Sequence, residues 1–141
     1  MGGFGDAWEK MIMSYRFNIQ SYPTCNLYVG LSSQDPLDNG SGVSEPGQAA
    51  NAYARVRTSN MAAAGTSWQV ADATGTTVDN AVAIEFAAAT NDWGTMTHFA
   101  LFSGSTSGAS VLAHGALTAS KAVDNGDTAR FTAGSLDICL K

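Results

Sequence analysis

What most limits this chain is a succession of short runs in which apolar and polar residues alternate, each bounded by Gly, Asn, Asp or Pro. Alternation places every second side chain on one face of a strand, so each run offers one face for burial. Residues 26–32 put Leu27, Val29 and Leu31 on one side, and Cys25 shares their parity. Residues 53–58 form the next run, 68–71 a short edge strand, and 81–86 a run with Val82, Ile84 and Phe86 on one face. In residues 95–102, Phe99 and Leu101 oppose His98, Ala100 and Phe102, and apolar character on both faces predicts a central strand. Runs at 111–118, 128–131 and 136–140 complete the set, with Asn125, Gly126 and Asp127 forming a strong turn signal. The pattern predicts a mainly β fold, an antiparallel β-sandwich or jelly-roll-like single domain.

One segment breaks this rhythm. Phe4, Trp8, Met11, Ile12 and Tyr15 repeat at the spacing of one helical face, with Asp6 placed to cap the helix and Glu9 three residues later. The sequence therefore predicts an N-terminal amphipathic helix or arm over residues 1–20 and a β-sandwich domain over 21–141. A helix this short is unstable alone and must bury its stripe. It either plugs the β domain or packs on a neighbouring subunit. A long loop follows the first strand, from Asp35 and Pro36 through Glu45 and Pro46 to Asn51, and loops of that length are usually functional or disordered.

Only 13% of the residues are charged, about half the usual share, so much of the surface is Ala, Gly, Ser, Thr and Asn. Such a surface costs little to desolvate and suits protein–protein contact. The net charge is −5 and the few Lys and Arg are scattered, which argues against direct nucleic-acid binding. No apolar run is long enough to span a membrane, and the first residues carry no signal-peptide pattern. Cys25 and Cys139 have no metal-type spacing, and reduced thiols are expected.

Catalytic and metal chemistry find little support. His98 and His114 lie on strands that can form one hairpin. They share a face if paired residue numbers sum to an even value, and lie on opposite faces if the sum is odd. Zinc wants three or four ligands, and none stand at a recognisable spacing, so no metal and no cofactor are expected. Asp35, Asp38 and Asn39 could be imagined holding calcium, but turn formation explains them more simply. Asp92, His98 and a serine make no recognisable triad, because no nucleophile-elbow motif is present. Trp68, Trp93, Tyr28 and Tyr53 could form a sugar-binding platform, or could fill a core.

Longer blocks carry a resemblance. Leu27-Tyr28-Val29-Gly30-Leu31 is followed by Asp35-Pro36, and Trp93-Gly94-Thr95-Met96-Thr97-His98-Phe99 comes later. Gly126-Asp127 and a closing Phe131-Thr132-Ala133-Gly134-Ser135-Leu136 complete the series. Across nearly the whole chain this resembles a family of small tailed-bacteriophage virion structural proteins, described as phage tail-fibre-like. The resemblance implies a non-enzymatic protein of the virion, assembled in the host cytoplasm, and brings no catalytic residues with it.

The expectation that follows is a capsid cement or decoration protein, a homotrimer bound to the major capsid protein or other virion subunits. Phe4, Trp8, Met11, Ile12 and Tyr15 of the helix, with Asp35, Pro36, Glu45 and Pro46 of the loop, are the interface candidates. A tail or tail-fibre component and a host-surface glycan-binding module are the alternatives.

Overall fold

The computed structural model describes residues 2–17, 26–47, 51–58, 67–71, 73 and 75–139. Cys25 and the last three residues of the expected first helix region, 18–20, lie outside the described residues. The chain folds as one mainly β domain of antiparallel sheets with one helix, as the alternating runs predict. Its elements are β1 (Gly3–Phe4), α1 (Asp6–Arg16), β2 (Tyr28–Ser32), β3 (Val56–Arg57), β4 (Trp68–Val70), β5 (Thr77–Asn80), β6 (Ile84–Glu85), β7 (Gly94–Phe102), β8 (Val111–Val123), β9 (Arg130–Phe131) and β10 (Ile138–Cys139).

The largest sheet has the order β1-β8-β7-β2-β3, beside a three-stranded sheet β10-β5-β4 and a two-stranded pair β6-β9. Strand β7 lies in the middle, and its two faces enter two apolar clusters. Phe99 and Leu101 join the main core with Val29 and Leu31, while Ala100 and Phe102 pack with Val111, Tyr28 and Val43 under the 33–47 loop. The main core also draws Ile138, Val78 and Trp68 from the small sheet and Ile84 and Phe131 from the β6-β9 pair, so one cluster unites all three sheets. Val82, expected on the same inward face as Ile84 and Phe86, is instead 49% exposed, because β6 begins only at Ile84.

A bulge sets which residues face inward. Strand β7 advances from Met96 to His98 while β8 runs from Ala116 to Lys121, so β8 carries the surplus residues. Extra residues in one strand reverse its alternation beyond them. Across this irregularity Met96 and Phe99, both on β7, enter the main core despite opposite parity in the sequence.

The first residues do more than lead into a helix. Gly2 donates to the Asp137 carbonyl at 3.0 Å and accepts from the Cys139 N–H at 3.1 Å, while Gly3 and Phe4 pair with His114 and Ala113 of β8. This stretch therefore stitches the large sheet to the small one. A Cβ on Gly2 would stand 2.7 Å from the Phe99 ring and 2.8 Å from the His114 carbonyl, so only glycine fits. At the far ends of the two sheets, the Trp68 indole donates to the Thr58 hydroxyl at 3.1 Å. Cys139 is a buried free thiol beside the Gly2 carbonyl.

Below the core, Asn80 is fully buried and fully bonded. Its amide nitrogen donates to the Val82 and Thr132 carbonyls, and its oxygen accepts from the Ser135 and Leu136 N–H groups. The 132–136 turn is thereby fixed to β5. Buried polar groups persist only when paired in this way.

Candidate functional site

The helix starts differently from the sequence expectation. The Gly5 carbonyl, rather than Asp6, receives the first helical bonds, from Trp8 at 2.9 Å and Glu9 at 3.2 Å. Gly5 occupies the cap because a Cβ there would meet the Asp38 and Val111 carbonyls at 2.8 and 2.9 Å. Asp6 and Glu9 then sit in the first turn, where the helix dipole favours negative charge.

Helix α1 packs on β8. Phe4 and Trp8 meet with ring centroids 4.7 Å apart and pack against the main core. Of the two arrangements open to the stripe, these two residues take the internal one. Met11 and Ile12 are half-buried, and the side chain of Tyr15 lies outside the described atoms. The outward apolar residues are Met13, 56% exposed, and Phe17, 66% exposed. At 100° per residue they lie on the far side of the helix from Trp8, one helical turn apart. Their i, i+4 spacing was the available signal, and the stronger stripe obscured it.

Under the helix, an open cleft of about 600 Å³ runs between α1, β8 and the 33–47 loop. Its floor holds both histidines. His98 pairs with Ala116 and His114 with Ala100, both sums being even, so the two imidazoles share a face. Each has its own partner: the His98 ring bonds the Thr97 hydroxyl at 2.8 Å, and His114 stands 3.0 Å from Asp38 and 3.4 Å from Asp35. The loop carboxylates thus clasp His114 and hold the loop against the sheet. Asp35 also accepts from the Leu37 N–H and Asn39 from the Ser41 N–H, the turn-forming role that competes with calcium binding. Among the described residues, no group of three His, Cys, Asp or Glu side chains is placed to hold a metal ion.

The remaining loop candidates turn inward. Pro36 and Pro46 are buried, and the Glu45 carboxylate is engaged within the domain. Its Oε1 accepts from the Tyr53 hydroxyl at 2.7 Å and from Arg55 Nε at 2.9 Å, and its Oε2 accepts from Arg55 Nη2 at 2.7 Å. Arg55 lies over the Phe102 ring at 3.4 Å and donates to the Gly104 and Thr106 carbonyls, joining the 33–47 loop to the 103–110 loop. Burial, and after it the Glu45 carboxylate, push the Tyr53 phenol well above its ordinary value, so it remains a neutral donor. Pro36, Glu45 and Pro46 are thus packed within the domain, whereas Asp35 keeps an exposed side chain. Arg55 was missed in sequence; its inward parity with Tyr53, in a chain poor in charge, was the clue.

Of the four aromatic residues that could form a sugar platform, two lie in the core. Tyr53 and Trp93 are buried and meet edge to face at 5.2 Å, with Phe86 beside them. The Trp93 indole donates to the Asn51 carbonyl. Trp68 is committed to Thr58. Among the described residues, no helix is long and apolar enough to cross a membrane.

A family model described as podophage GP4 fiber I protein gp80 matches residues 3–139. No curated protein matches the chain.

Proposed function

The chain belongs to the family of the podophage GP4 fiber I protein gp80, and from that premise we propose that it is a non-enzymatic structural subunit of a phage fibre. It is a virion structural protein, and a fibre protein works by associating with other virion components. The observation that carries the fibre reading is the match itself, which spans all but a few residues at each end. Against it, the capsid-cement role anticipated from the surface composition has no specific support, although the low surface charge suits either site. A homotrimer remains the proposed assembly.

The geometry supplies a route for association. Phe4 and Trp8 are committed to the domain's own core, while Met13, at the wall of the cleft, and Phe17, just past the end of α1, present exposed apolar surface. These two neighbouring side chains are the apolar surface that the helix region offers to a partner. Mass spectrometry of separated heads and tails tests the placement. Recovery with tails or fibres is expected; recovery with heads alone would overturn the fibre reading and restore the cement role.

A further inference from the structure

The cleft beneath α1 has an apolar wall and an acidic rim. Phe4, Ile12 and Met13 form the wall, Glu9, Asp35 and Asp38 the rim, and among the described residues no lysine or arginine lines it. Asp35 and Asp38 bond His114, yet their side chains keep 55% and 67% exposure, so oxygens remain open to solvent. A carboxylate accepts several hydrogen bonds at once, so the clasp on His114 leaves acceptor capacity unused. Long basic side chains lay their methylene stems along apolar surface while holding their charge at its edge. The wall and rim match that shape, and the chain's net charge of −5 attracts a cationic partner.

We propose that this cleft receives a basic segment of a neighbouring virion subunit. An apolar side chain of the segment rests on Ile12 and Met13, and an adjacent lysine or arginine reaches Glu9 and Asp38. Phe17 extends the apolar contact beyond the cleft. This inference rests on the reading of the chain as a subunit that binds other virion chains, and adds the chemistry of the partner.

The test is a titration of the full-length, isotope-labelled protein followed by NMR. The probe is a short acetylated and amidated peptide of leucines flanked by lysines, with a glutamate-flanked peptide of the same length as control. Shifts from the lysine peptide are expected on α1 and around His114–Ala116. Glu9→Lys is expected to weaken binding by about tenfold, in keeping with the loss of one charge-assisted contact. Met13→Ser, which leaves the charge unchanged, is expected to weaken it as well. Equal binding of the two peptides, shifts spread over the surface, or indifference to Met13→Ser would overturn the proposal, the last by showing only diffuse attraction. So would shifts on α1 that appear on concentrating the protein without peptide, which would assign this face to a second copy of the chain. A protein recovered in tails that fails this titration loses the partner chemistry alone, because its place in the particle is read independently.

Discussion

Glu45 and Arg55 face each other through two parallel hydrogen bonds, 2.9 Å from Nε and 2.7 Å from Nη2, with the arginine side chain only 3% exposed. A paired buried charge is tolerated, but an orphaned one is costly, so the pair matters more through what its loss leaves behind than through its own attraction.

Removing one member should therefore be severe. Arg55→Ala should destabilise the domain by about 3–5 kcal/mol, since it leaves Glu45 buried beside Tyr53 and frees two loop carbonyls. Chemical unfolding of Arg55→Ala, Glu45→Ala and the double variant measures the coupling. Additive losses would show that the pair does not act as a unit.

Gly30 lies on the strand against this network. An added Cβ would stand 2.7 Å from Glu45 Oε1 and 2.8 Å from both the Phe102 ring and the Tyr53 hydroxyl. Gly30→Ala should cost about 1–3 kcal/mol through overpacking. A melting temperature equal to that of the parent protein would contradict it.

The raised Tyr53 pKa has a signed consequence. The unfolded phenol titrates near 10, and the folded one titrates higher. Between those values the unfolded state releases a proton that the folded state retains. The stabilising contribution is complete below pH 10 and falls as pH rises above it, by roughly 1.4 kcal/mol per pH unit. Urea unfolding across alkaline pH should show this slope, and Tyr53→Phe should flatten it.

Asn80 closes the 132–136 turn through both ends of its amide. Asn80→Ala should cost about 2–5 kcal/mol by orphaning buried backbone groups. Hydrogen exchange should show the loss concentrated at Ser135 and Leu136; unchanged protection there would contradict the role given to Asn80.

The two faces of α1 should separate in experiment. Trp8→Ala should lower stability by about 2–3 kcal/mol, because Trp8 packs on the core. Met13→Ser with Phe17→Ser should alter stability by less than about 1 kcal/mol, as exposed substitutions do. The same double variant should nevertheless reduce incorporation into particles, measured by immunoblot of purified virions. Normal incorporation would remove the outer helix face from the assembly contact.

The sequence by itself determined the class of fold, the central place of β7 and the presence of a helix, because alternation and helical repeat are local properties of the chain. It left the relation of His98 to His114 open between two parities, and only the pairing of β7 with β8 selected one. The entry of both Met96 and Phe99 into one core, the stitching of two sheets by Gly2, and the inward turn of Glu45 toward Arg55 were decided by tertiary structure. Each depends on residues far apart in the chain meeting in one place. Periodicity shows that a residue has a buried face, but the partner waiting there is fixed only when distant strands pack together.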